Sequence, residues 1–376
     1  MQKICYIILL SFLASCSKKS QDADIFNGEI CEISDSAVEK EVEFKELNLS
    51  GPNYGYLSIH DSIAFFMNPQ LPDRWYQLFN CRTLGEIGQF ARKGNGHKEF
   101  IAVEPIWNFY KDNNDLKTLI FDINKESVSI WNITQSIADG STVIEREIKL
   151  PWKKHNRGAC FKELFMTDPN TLYAKVSTVQ INDHEATLPY YQVWNLEKGE
   201  LLSEIHVFKK NIINKHADYM PETYLYSTNA IKPDGSKIVQ GMLHVPQLNI
   251  IDTRSQRIDA YHLNYGMSLS DLETANALKS YFVRVCADDE HIYAAFYGND
   301  WDHNGRNEVN KIYVFNWDGL LVSKVSTNHC IGDIAVDHIN KILYTTSPMD
   351  EKLYYINTNE LIENISSSNN TKPHDK

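Results

Sequence analysis

The chain has 376 residues, a formal net charge of −12, 43% hydrophobic and 11% aromatic residues. That acidic balance argues against a nucleic-acid partner, whose phosphates demand a basic face, and the short Lys153-Lys154 and Lys209-Lys210 pairs do not supply one. The length exceeds what one small core can use and fits a large repeat fold or two domains.

Lys3, the apolar residues 4–13 and the small residues Ala14 and Ser15 have the order of a secretory signal. Cys16 directly follows Leu13-Ala14-Ser15, which resembles the bacterial lipobox, where the peptide is cut before a Cys that then carries the lipid. An ordinary cleaved signal or a membrane anchor is the alternative, but ten apolar residues are too few to span a bilayer. Residues 1–15 are therefore expected as a lipoprotein signal peptide and Cys16 as the lipidation site. Residues 16–40 are expected as a polar tether, with membrane contact through the lipid anchor alone. Ser17 rather than Asp after Cys16 points, by analogy with enterobacterial sorting, to the outer membrane of the cell envelope. Cys31, Cys81, Cys160, Cys286 and Cys330 show no tight spacing, so they form neither a disulfide framework nor a zinc site. One bridge among them is open in an oxidising envelope.

One weak pattern recurs six times along the rest of the chain. A β-rich stretch closes on an apolar residue followed by Asn or Asp at Phe79-Asn80, Trp131-Asn132, Trp194-Asn195, Ile251-Asp252, Phe315-Asn316 and Ile356-Asn357. Asn and Asp suit that place because their side chains bond to the following backbone and open a turn. A strand-like stretch follows most of these turns (84–87, 143–148, 201–207, 257–263 and 320–325), and an earlier strand pair with a tight polar turn precedes each. Four strands per unit, repeated six times every roughly 40–65 residues, predict an all-β, six-bladed β-propeller of four-stranded antiparallel blades. A β-sandwich or solenoid that happens to repeat is the alternative.

The sixth unit supplies three good strands and then only a weak stretch at 361–365. Val42–Leu49 alternates well near the other end and precedes blade one directly. Adding it to blade six would close the ring and remove two exposed sheet edges. The propeller is thus expected over 41–365, with 366–376 as a disordered tail.

The stretch Gly85-Glu86-Ile87-Gly88-Gln89-Phe90-Ala91-Arg92-Lys93-Gly94-Asn95-Gly96-His97-Lys98-Glu99-Phe100 resembles the G-x-x-G-R-K-G-x-G-P-x-E-F/Y motif of six-bladed propeller lipoproteins of Bacteroidota, which are similar to TolB-like and NHL-repeat propellers. His97 stands where that motif has Pro, and Ala91 interrupts its Gly-Arg pairing. The resemblance implies the architecture and leaves activity open.

In a propeller the connections between the second and third strands, and from one blade to the next, open on one face. Here those connections are the long ones, and long loops on a rigid scaffold are where binding lives. Arg92, Lys93, His97, Lys98 and Glu99, on the first inter-blade loop beside three glycines, could cradle an anion or a carbohydrate carboxylate, or simply shape the crossover. Trp107, Tyr219 and Tyr224 could face the channel mouth and stack on a sugar or peptide, with core packing as the alternative. In blade five, Asp300, Asp302, Asn304, Glu308 and the Arg306 carbonyl resemble the calcium hairpins of integrin-type propellers; a polar hairpin without Ca²⁺ is the alternative.

No G-x-S-x-G, H-E-x-x-H or Walker pattern occurs in the sequence. The functional expectation is a non-catalytic binding scaffold for an envelope protein, peptide or glycan. A calcium-assisted hydrolase or lyase with its site at the channel mouth is the other class, and a cluster of inward polar groups with perturbed carboxylates would favour it.

Overall fold

The computed structural model describes residues 21–51, 53–151, 159–178, 188–214, 221–300 and 308–362. Six antiparallel sheets follow one another along the chain as the blades of a propeller. Blade one comprises Tyr56–His60, Ile63–Met67, Arg74–Asn80 and Glu86–Arg92. Blade two comprises Tyr110–Asp112, Asp115–Asp122, Ser127–Asn132 and Val143–Lys149. Blade three comprises Ala159–Asp168, Thr171–Thr178, Tyr190–Asn195 and Glu200–His206. Blade four comprises Ser227–Ile231, Lys237–Met242, Gln247–Asp252 and Ile258–Leu263. Blade five comprises Lys279–Ala287, His291–Asp300, Lys311–Asn316 and Leu321–Thr327. Blade six takes Asp333–Asp337, Ile342–Thr346 and Leu353–Asn357 from its own stretch.

The recurring Asn or Asp does in every blade what its chemistry predicts. Asn80 Oδ1 accepts the Arg82 and Thr83 amides at 2.9 and 3.0 Å, and Asn195 Oδ1 that of Lys198 at 2.9 Å. Asp252 accepts the amides of Arg254 and Ser255 at 3.1 and 2.7 Å, Asn316 that of Asp318 at 3.1 Å, and Asn357 that of Asn359 at 2.9 Å. Asn132 accepts from Gln135 at 2.9 Å, but there the turn opens a helix, Ile133–Asp139, that the alternation in blade two did not foretell. The apolar partner of each pair packs between blades: Trp131, Trp194, Phe79, Ile251 and Phe315 are all fully buried.

Ring closure uses an N-terminal strand, as expected, but a shorter one. Lys45–Leu47 pairs antiparallel with Leu353–Tyr355 as the fourth strand of blade six. The alternating stretch Val42–Leu49 is split at Phe44, which is 2% exposed in the seam between blades five and six. Its amide donates to Asn328 Oδ1 at 3.1 Å, which turns the chain from one blade to the next. Upstream, Glu39–Val42 runs parallel to the outer strand of blade five, and Glu29–Ile33 parallel to that of blade four. Part of the expected 16–40 tether, residues 29–33 and 39–40, is therefore built into the sheets, because its polar alternation suits a solvent-facing fifth strand as well as it suits coil. At the other end, the residues expected to start a weak strand at 361 instead belong to the short helix Thr358–Ile362. Cys31, Cys81, Cys160, Cys286 and Cys330 are all thiols.

Closure should dominate stability. Deleting 41–49 leaves the edge of Leu353–Asn357 unpaired and removes Phe44 from the core, so aggregation or a melting temperature lowered by about 5 °C or more is expected. Deleting 366–376 should change neither. Equal tolerance of both deletions, followed by thermal denaturation, would place closure elsewhere.

Candidate functional site

A cavity of about 720 Å³ opens on the face built by the long connections, where Pro69, Pro105, Thr223 and His244 contribute to its wall. A second, of about 160 Å³, continues down the centre of the ring between the innermost strands. Tyr56, Trp107, Thr228 and Arg284 line both, so they mark the mouth of the channel.

Two strand irregularities aim charge into this mouth. In blade three the ladder partners Phe161 with Val176 and Glu163 with Lys175, leaving Lys162 as the extra residue of a bulge. Blade five repeats the device: Phe282 faces Phe296 and Arg284 faces Ala295, with Val283 extra. A bulge re-aims the residue beside it, which is how a charged side chain reaches the channel from a strand otherwise buried in apolar seams.

Glu163 and Lys175 form a buried cross-strand ion pair at 2.8 Å, with side chains 8% and 7% exposed. Lys175 Nζ also donates to the Ser227 carbonyl at 2.7 Å and hydroxyl at 3.0 Å. The other Glu163 oxygen accepts from Asn229 Nδ2 at 2.7 Å, and Asn229 Oδ1 accepts from Tyr191 OH at 2.9 Å. Across the mouth, Arg284 Nε meets Asp333 Oδ1 at 3.2 Å. Burial pushes the Asp333 carboxyl up from its ordinary range, opposed by Arg284 and by the Leu57 and Ile334 amides. Arg284 lies 5.4 Å from the centre of the Tyr56 ring, and Lys175 lies 5.9 Å from that of Tyr226. Both rings remain open to solvent, at 41% and 51% exposure. Glu104, on the same wall, has its carboxyl pushed up by burial, with Lys162 pulling it back.

His60 and His338 lie at the opposite end of the channel, with ring centres 5.6 Å apart. Burial pulls the His60 imidazole down to about 4, and His338 adds to the effect.

The residues singled out from sequence divide sharply. Trp107 lines the mouth, just ahead of blade two's innermost strand. Tyr224 is 1% exposed and packs between blades three and four; Tyr226, two residues on, reaches the mouth instead. The glycine-rich loop folds on itself, and none of its five singled-out residues lines either cavity. There Lys93 Nζ donates to the carbonyls of Pro69 (2.7 Å) and Leu71 and lies 4.5 Å over the Trp75 ring. Glu99 accepts the Gly96 amide at 2.8 Å and meets Arg92 at 3.4 Å. Gly94 has φ +149°, and a Cβ there would stand 2.2 Å from Glu99 Oε2. His97 and Lys98 are exposed. Tyr219, Asp302, Asn304 and Arg306 lie outside the described residues; Asp300 and Glu308 are exposed at the two ends of that stretch. Among the described residues no three His, Cys, Asp or Glu side chains come together to hold a metal ion.

Glu163, Lys175, Arg284 and Asp333 were not foreseen. The available signal was a charged residue inside an otherwise apolar strand, as in Leu172-Tyr173-Ala174-Lys175-Val176, where desolvation demands a partner.

No family model matches the sequence, and no curated protein matches it. Among solved structures, the chain is similar to a member of the DUF4221 family from Bacteroides vulgatus, with 13% identity, TM-score 0.56, and 85% of this chain and 96% of that one covered. It is also similar to a candidate exported protein of Bacteroides fragilis, with 13% identity, TM-score 0.52, and 84% and 88% covered. At these identities the likeness establishes the shared propeller fold.

The buried pair supplies a test of the site's construction. Lys175→Met leaves Glu163 charged and without its counter-ion, which should cost about 3–5 kcal/mol in chemical denaturation. Adding Glu163→Leu to that variant should restore most of the loss. A single variant as stable as the wild type would show that the two charges are not coupled.

Proposed function

We propose that this chain is a lipid-anchored propeller of the cell envelope that binds a peptide, glycan or protein segment at the channel mouth and performs no catalysis. The observation that carries this reading is the 720 Å³ cavity itself, lined by two solvent-open tyrosines backed by cations. An aromatic face beside fixed charges offers stacking and orientation together. Glu163, Lys175 and Asp333 are each held by two or more protein partners, which suits a rigid receptor.

The course of the N-terminal segment supports the anchoring. Asp22 accepts the Ser270 amide at 2.8 Å, and Ile25 packs with Phe208, Leu269 and Leu272. These belong to the inter-blade connections, on the side where the mouth opens. With Cys16 acylated, the five steps to Gln21 reach at most about 17 Å, so this rim of the propeller would stay close to the membrane surface.

A second reading, a hydrolase or lyase at the same mouth, draws support from Glu104 on the cavity wall, whose carboxyl burial pushes up, the direction a general acid needs. Calcium held by Asp300, Asp302, Asn304, Arg306 and Glu308 belongs with that reading.

A glycan and peptide array separates the two. Tyr226→Ala and Tyr56→Ala should each weaken capture by roughly tenfold, within the range set by lost stacking. Undiminished capture by both variants would overturn the binding reading, and ligand cleavage lost in Glu104→Gln would favour the enzyme. For the anchor, Cys16→Ala should appear in the soluble fraction after mild lysis. Retention in membranes at the wild-type level would remove the lipoprotein assignment.

A further inference from the structure

The mouth holds more hydrogen-bond donors than the protein satisfies. Arg284 pairs with Asp333, its Nε 3.2 Å from Oδ1, and its two Nη groups make no hydrogen bond among the described residues. Asp333 accepts the Leu57 and Ile334 amides, each at 3.0 Å, and receives no hydrogen bond from either Nη. Lys162, displaced toward the same cavity by the blade-three bulge, makes no ion pair or hydrogen bond among the described residues. The indole N–H of Trp107 and the hydroxyl of Thr228, both buried on walls shared by the two cavities, also lack partners.

Indole, guanidinium and ammonium groups can only donate, so a ligand that satisfies them must accept. The guanidinium fork matches a planar carboxylate, with two parallel hydrogen bonds. Charge selects the same group. Glu163 is committed to Lys175 and Asp333 to Arg284, whereas Lys162 makes no ion pair among the described residues and is the cation left for an anionic group of a ligand.

We propose that the mouth recognises its ligand through a carboxylate laid across the Arg284 Nη groups and Lys162, with the body of the ligand against Tyr56 or Tyr226. The inference rests on the binding reading above and narrows it to acidic ligands. The carboxylate could belong to an acidic sugar or to a peptide C-terminus.

Calorimetric titration with four probes tests it: trigalacturonate and neutral galactotriose, then an N-acetyl tripeptide and its C-terminal amide. In the wild type one acidic probe should bind at least tenfold more tightly than its neutral partner, and which pair shows the gap identifies the source. Lys162→Gln should bring that ratio below threefold. Arg284→Gln should do the same; because it also strands Asp333, Lys162→Gln, which breaks no ion pair or hydrogen bond among the described residues, is the deciding variant. A ratio unchanged in Lys162→Gln overturns the proposal. Neutral probes that bind as tightly as acidic ones, with binding lost in Tyr226→Ala, overturn the carboxylate and leave the binding reading standing. Absence of binding by all four at millimolar concentration overturns both.

Discussion

A propeller blade cannot bury its own faces, and this constraint governs the rest of the molecule. Each four-stranded sheet presents apolar side chains on both sides, so each needs a neighbour on both sides. Six buried clusters occupy the seams, such as Phe65, Tyr76 and Phe90 of blade one against Ile120 and Trp131 of blade two. The last seam sets Leu57, Phe66 and Phe79 of blade one against Tyr344 and Leu353 of blade six. That seam forms only if the ring closes. Lys45–Leu47 supplies just three paired residues to the closing sheet. The N-terminal segment adds to it by running along blades four and five first, so the closing strand arrives already held. Two hydrogen bonds lock the same seam from the inside: the Leu57 amide to Asp333 at 3.0 Å and the Ser62 amide to Asp337 at 2.7 Å.

The architecture was legible because its signals are local. An Asn or Asp that accepts amides two and three residues ahead needs no distant partner, so the residue pair alone marks the turn. The polar turns inside the first hairpins of blades one and two are local in the same way: Asp61 and Ser62, then Asn113 and Asn114, adopt positive φ as paired turn residues. What the sequence could not reveal were features set by non-local contacts. Phe44 breaks a well-alternating strand because a seam between two blades takes its ring. The parallel strands Glu29–Ile33 and Glu39–Val42 looked like coil because an outer fifth strand needs no apolar face.

The mouth was harder to read for a related reason. Sequence logic sent attention to the long loops and the conspicuous glycine-rich motif, whose Lys93 is engaged by the neighbouring connection at Pro69 and Leu71 and whose Glu99 is engaged within its own loop. Glu163, Arg284 and Asp333 stand instead on innermost strands, and Lys175 on the strand next to one. The bulges at Lys162 and Val283 shift the register by one, and a one-residue shift exchanges the two faces of a strand. Nothing in Phe161-Lys162-Glu163 or Phe282-Val283-Arg284 announces a bulge except the charge that would otherwise be stranded.

Placing these groups on strands has a physical consequence for recognition. A side chain carried by a flexible loop loses conformational freedom when it meets a ligand, and that loss opposes binding. Lys175 and Glu163 are fixed before any ligand arrives, by each other, by Ser227 and by Asn229. Tyr226 and Tyr56 stay exposed, each with a cation nearby. The mouth therefore combines a preorganised polar floor with accessible rings at its rim. Arg284 joins the two parts, with Nε committed to Asp333 and its outer nitrogens turned to neither. A group held on one side and left without a hydrogen bond on the other would favour ligands that bring acceptors, without the ring having to move.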